Sequence, residues 1–320
     1  MTDVARSSAE AFASELELFV VLVKRLTGLA RFPEEPLQIF VFASGFDFER
    51  YRLEPHHEGF FVSDGLRSFA LMSGSEPSLE MRQKLFHEFT HYLISGTARG
   101  GEYPLWYSEG LAEMLSAVQW KDGSAIVGLP PARLAGARGL GRWISLERLL
   151  STRTTSGMSL EDGSLFYAEA WALVHHLHTA KRGDGASRYR QMLDYLGQVR
   201  GGSEWRPAAE RAFGAPLEDL EVELRQHWVT PTQQLLGLRI DLATLEPAAS
   251  GMPRSVPQAD VDAKLSLLTA VIREMRAGQR SPFDPPFELP RPEIEPPEFE
   301  MPEIELPDLP PGSPRRGRGD

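Results

Sequence analysis

Apolar positions along this chain recur first with helical and strand periods, and the periodicity stops near residue 280. Over residues 9–28, Leu16, Phe19, Val20, Val23 and Leu26 share one stripe, which predicts an amphipathic helix. Leu37-Gln-Ile-Phe-Val-Phe42 predicts a buried strand. The segment from Gly59 to Met72 predicts two strands joined at Ser63-Asp64-Gly65. Pro77-Ser78 opens a helix running to about Ile94, with Ser78 as its N-cap and Met81, Leu85, Phe89 and Leu93 as its apolar stripe. Helices follow over about 104–120 and 165–180, the pattern is helical from 186 to 229, and one more helix is predicted over 259–276.

The last forty residues are different material. Ser281 to Asp320 hold 12 of the chain's 25 prolines, and Pro292-Glu-Ile-Glu, Pro297-Glu-Phe-Glu and Pro302-Glu-Ile-Glu repeat every five residues. Proline at that density excludes helices and sheet interiors and favours solvated, extended chain. A disordered acidic tail over 281–320 is expected. It is either a solubilising extension or a docking segment for a protein partner, with Ile294, Phe299 and Ile304 as anchors.

Charge and composition narrow the picture. The net charge is −11, and the tail's ten acids against four arginines contribute −6 of it. No basic stripe appears in the remainder, so no nucleic-acid partner is expected. No apolar run approaches the ~20 residues that span a bilayer. The acidic N-terminal flank does not read as a secretory signal. A cytoplasmic protein without membrane contact is expected. The chain has no cysteine, so any metal site must be built from His, Asp or Glu.

Such a site is written into the helix over 78–94. His87 and His91 are four residues apart, about 400° of helical rotation, so both rings leave one face a turn apart and can share an ion. Glu88 is rotated about 100° from His87, out of reach of the same ion but within reach of a water beside it. That is the mechanical content of the H-E-x-x-H pattern. Phe86, Phe89, Tyr92, Leu93 and Ile94 make the helix largely buried, and two buried imidazoles need partners. A third ligand is required, and Glu109 in Trp106-Tyr-Ser-Glu-Gly-Leu-Ala-Glu113 is the candidate, because a short connection returns its helix onto the first. Glu113 is one turn further on. It reads either as an acceptor for a ligand histidine's free N–H or as a solvated helix charge. His175, His176 and His178 have no flanking acid and are not expected to form a second metal site. His56-His57 are read as solvated loop residues.

His87-Glu88-x-x-His91 followed seventeen positions later by Ser108-Glu109-Gly110-Leu111-Ala112-Glu113 resembles the gluzincin metallopeptidases, closest to the aminopeptidase N type and to bacterial peptidase-MA-like proteins. Tyr167-Ala-Glu-Ala-Trp-Ala-Leu-Val is similar to the tyrosine-led helix of aminopeptidase N, and Ala212-Phe-Gly-Ala-Pro-Leu-Glu-Asp-Leu-Glu to the closing helix of peptidase-MA-like proteins. The likeness covers about residues 10–230. It implies that His87, His91 and Glu109 bind one zinc ion (Zn2+) per chain, that Glu88 is the general base, and that Tyr167 stabilises the tetrahedral oxyanion. A core tyrosine is the other reading of Tyr167. The G-x-M-E-N segment that holds the substrate's free amine in aminopeptidase N is missing.

The expected fold is therefore α+β and zincin-like. A small twisted sheet lies on the active helix over 1–100, and a helical lobe over 101–230 brings the third ligand. A helical extension over 231–280 and the tail follow. An edge strand near Phe69–Ser73 is expected to pair with an extended peptide. The expected activity is hydrolysis of a peptide or protein substrate by zinc-activated water. The alternatives are a zinc-dependent hydrolase of a non-peptide amide or ester, and a non-catalytic zincin-like scaffold acting through its tail.

Overall fold

The structure is a computed structural model of the 320-residue chain. It describes residues 6–28, 37–42, 44–51, 59–63, 68–73, 79–95, 102–131, 133–180, 187–230 and 237–244, with isolated positions between 263 and 277. Met1–Glu288 form one compact unit and Leu289–Asp320 a second, which lies outside the described residues. The expectations for Ser78, His56-His57 and the tail also fall outside them.

The described chain is mostly helical with two small sheets, an α+β composition. Helix α1 (Arg6–Thr27) is followed by β1 (Leu37–Phe42), the short α2 (Gly45–Glu49), β2 (Gly59–Ser63) and β3 (Ser68–Ser73). These strands form a sheet of order β1-β3-β2, with β1 parallel to β3 and β2 antiparallel to it. Phe69, Ala70 and Leu71 are all fully buried, as a middle strand covered on both faces requires. This corrects the expectation that Phe69–Ser73 is an edge. Strand β3 is flanked on both sides, and the edges are β1 and β2. Strand β2 lies along the next helix, α3 (Leu79–Ser95).

Helix α3 is sealed from the other side by α1. The Phe19 ring stacks on Phe86 at 4.4 Å and on Phe89 at 5.8 Å, and Leu22, Val23 and Leu26 complete the buried stripe. Helix α4 (Leu105–Ser116) packs against α3. Helix α4 is shorter than its apolar content suggested. It ends at Ser116, and Gln119–Lys121 pairs instead as β4 with β5 (Ser124–Val127), joined by Asp122 (φ +50°) and Gly123 (φ +70°). Two consecutive left-handed residues are the turn that matches a hairpin's twist. Strand β6 (Leu238–Asp241) adds to the other side of β5.

Helices α5 (Arg133–Gly139), α6 (Leu146–Ser151), α7 (Leu160–Thr179), α8 (Arg188–Arg200), α9 (Trp205–Phe213) and α10 (Leu217–Val229) complete the unit, and the described positions from 263 to 273 are helical. The most extensive helix packing joins α4 to α7. It depends on Gly110: a Cβ there would lie 2.3 Å from the carbonyl oxygen of Ala170 and 2.7 Å from Val174 Cγ2. Only a residue without a side chain lets the two backbones come that close. No described helix is long and apolar enough to cross a membrane.

Candidate metal centre

The α3–α4 pair brings three ligand atoms to one point. His87 Nε2 and His91 Nε2 are 3.2 Å apart, and Glu109 Oε2 lies 3.3 Å from each. The triangle is nearly equilateral. Four ligands placed tetrahedrally about a zinc ion at about 2.0–2.1 Å are separated by about 3.3–3.4 Å, so these edges match one face of that tetrahedron. Among the described residues this is the one group of His, Asp and Glu whose ligand atoms converge in this way.

The arrangement suits a cation. Glu109 Oε2 is buried and finds no other partner, and its two approaches to nitrogen are long for hydrogen bonds. Burial works against charge on both Glu109 and His87. For His87 the hydrogen bonds to Glu109 and Glu113, with the charges of Glu113 and Glu88, outweigh that cost and raise the imidazole to about 10. The bonds to His87 and His91 likewise hold Glu109 below the usual carboxylate range against its own burial. In chemical terms the pocket takes a proton to neutralise its carboxylates, and a metal ion would displace that proton.

The far sides of both rings are anchored. His87 Nδ1 lies 3.2 Å from Glu113 Oε1, and His91 Nδ1 lies 3.0 Å from Ser108 Oγ. With each Nε2 turned to the ligand cluster, each Nδ1 is assigned the hydrogen, on the side of these oxygens. Glu113 is only 2% exposed, so it is no solvated helix charge. Ser108 was named in the sequence only as part of the motif, with no role of its own. Its signal was its place beside Glu109, on a helix already expected to face the histidines.

Glu88 is half-buried, and its Oε2 has no hydrogen-bond partner among the described residues. Tyr167, from α7, brings its ring to 6.4 Å from the His87 ring at 63°, so it stands beside the cluster rather than deep in the core. The short α4–α7 contact at Gly110 puts it there.

The second histidine group lies elsewhere. His175 and His176 face α10, where His227 and Glu223 meet them, and His178 donates from Nδ1 to Val174 O at 2.8 Å. The acid missing from the local sequence is thus supplied in space by Glu223, although the group does not converge on a metal-sized point.

Comparison of the chain with protein-family descriptions, with curated proteins and with solved structures yields no match. The functional reading therefore stands on the geometry of these residues.

Proposed function

We propose that this protein is a zinc-dependent metallopeptidase of zincin-like fold, with the metal held by His87, His91 and Glu109. The observation that carries the reading is the 3.2–3.3 Å triangle of ligand atoms, with an unpartnered carboxylate oxygen on the adjacent residue Glu88. When bound, zinc supplies Lewis acidity, acidifying water and polarising a carbonyl.

The chain's own residues do the rest. Glu88 Oε2 accepts the proton of the attacking water and later returns it to the leaving nitrogen. Glu113 and Ser108 hold the two imidazoles in the tautomer that would leave each Nε2 lone pair free to bind the ion. The Tyr167 hydroxyl donates to the oxygen that becomes negative in the transition state. Strand β2 supports a peptide rather than a small amide as substrate. It is the antiparallel edge of its sheet, it lies along α3, and among the described residues its outer edge has no strand neighbour. An extended peptide can add to such an edge through backbone hydrogen bonds.

The test is digestion of a peptide library by zinc-replete protein, analysed by mass spectrometry. Cleavage that stops on chelation and returns with zinc is expected. Hydrolysis of small amides or esters with every peptide left intact would overturn the peptidase reading.

A further inference from the structure

The histidines that the metal reading leaves unused form a seam between α7 and α10. His175 Nδ1 and His227 Nε2 are 2.9 Å apart, and their rings stack at 5.0 Å, continuing a stack of Trp171 on His175 at 4.9 Å. The His176 ring lies 5.2 Å from that of His227. His175 and His176 are buried, and His227 is half-buried.

A contact between two ring nitrogens is a hydrogen bond only while one of them lacks a hydrogen. One added proton is tolerated, because it can sit on the outer nitrogen of either ring. A second puts hydrogen on both facing nitrogens, and the bond becomes a repulsion between two cations.

From α8, Arg188 donates to both oxygens of Glu223, with Nε at 3.1 Å from Oε2. The same Oε2 is 3.3 Å from His176 Nε2. Arg138 of α5 adds positive charge beside His227 and lies over the Trp228 ring. On α7, the His178 ring sits beside Tyr189 of α8. On α6 and α9, Arg206 pairs with Glu147 and Glu210, and Arg211 donates to Gln198 of α8; Arg148 of α6 adds a further positive charge. On α10, Glu221 and Arg225 pair with each other. Glu223, which faces His176 across the seam, is already held by Arg188.

We propose that this seam is an acid-sensitive latch: His175 and His227 hold α10 against α7 while a hydrogen is missing from one of their facing nitrogens, and α10 is released once both nitrogens carry one. The local electrostatics agree in direction. Burial, then the charges of His175, His176 and Arg138, hold His227 down at about 3, and burial lowers His176 as well despite Glu223. A depressed imidazole contributes stability that is complete above its unfolded value of about 6.5 and is lost as pH falls towards the folded value. Helix α7 also carries Tyr167, about two turns before His175, so release loosens the support of that helix. No metal-ligand candidate takes part, and the latch does not depend on the peptidase reading.

The experiment is hydrogen–deuterium exchange of the full-length protein between pH 7 and pH 4, corrected for the intrinsic pH dependence of exchange and read separately on α10 and α3. Peptides from α10 are expected to lose protection at least tenfold at a higher pH than those from α3. In His227→Gln, which keeps a polar partner for His175 but cannot take up the second proton, the loss should move down by half a pH unit or more. His175→Gln provides the same comparison should that variant fail to fold. Simultaneous loss of protection in α10 and α3, or the same α10 midpoint in wild type and variant, overturns the latch.

Discussion

His87 touches two carboxylates, and its two nitrogens serve different ones. Nε2 faces Glu109 across the ligand triangle and Nδ1 faces Glu113, so one ring both contributes to the candidate metal cluster and is met by a carboxylate outside it. His91 is treated likewise, with Ser108 in place of a carboxylate. Losing an orienting partner of this kind costs about 10–100-fold in metal affinity. Ser108→Ala and Glu113→Gln are therefore expected to weaken zinc binding by roughly that factor, measured by competition with a chelating dye. Unchanged affinity in both would show that the outer contacts do not orient the rings. Tyr167 makes a separate prediction. A donor that acts only in the transition state is worth on the order of 10²–10³ in turnover. Tyr167→Phe should lower kcat by that factor, with KM and zinc content nearly unchanged. An equal rise in KM with kcat intact would assign Tyr167 to substrate binding instead.

At the scale of elements, the helix pair α3–α4 and its third neighbour α7 are set by close approach. Gly110→Ala would drive a methyl into the Ala170 carbonyl, so the helices must separate. Overpacking of this kind costs about 1–3 kcal/mol. Gly197→Ala is the matched control, since that helical glycine has nothing within 4 Å of its missing Cβ. It should gain up to about 1 kcal/mol from helix propensity. Denaturant unfolding of both variants checks the pair, and equal effects would contradict the close contact at Gly110. Helix α7 carries a pH-dependent term of its own. Glu169 is fully buried, with Oε1 accepting from Ile144 N at 2.9 Å. Burial, assisted by the charge of Glu221, pushes its carboxyl up to about 8, although the Ile144 N–H works the other way. The folded protein therefore holds this proton between the unfolded value near 4.5 and about 8 while the unfolded chain has released it. The stability is present below 4.5 and is lost as pH rises through 8, with a limiting slope of about 1.4 kcal/mol per pH unit. Glu169→Gln should flatten the decline in melting temperature between pH 6 and 9, and an unaltered slope would contradict the assignment.

For the whole molecule, the readable parts of the sequence were those where one face is buried at a regular period. The stripe of α1, the strand β1 and the helix of His87 and His91 were all visible this way, and the spacing of the histidines placed both rings on one face. Elements set by capping or by distant pairing were not. Helix α7 begins five residues before the apolar pattern does, because Ser159 caps it by accepting from Asp162 N at 3.0 Å while Leu160 stays exposed. Strand β4 was absorbed into α4 because Trp120 continues an apolar helical run, although Asp122-Gly123 carried the hairpin signal. The order β1-β3-β2 needs β1 to skip its nearest strand in sequence, a non-local pairing that no local period encodes. The uninterrupted Phe-Ala-Leu-Met of β3 was its one trace, since alternation fails where both faces are covered. Glu113 and Ser108 lay on the right helix, but their pairing with particular ring nitrogens depends on the distance between α3 and α4.

The central claim is a division of labour, in which His87, His91 and Glu109 hold the ion and Glu88 works on water. It is tested most directly by counting zinc and measuring peptide cleavage on the same preparations of wild type, Glu88→Gln and Glu109→Ala. Wild type should carry one zinc per chain and cleave. Glu88→Gln should carry the same zinc with cleavage reduced at least about 10²-fold, the lower end for a general base, and Glu109→Ala should lose both. Wild type without zinc, or Glu88→Gln losing its zinc as readily as Glu109→Ala, would contradict the account.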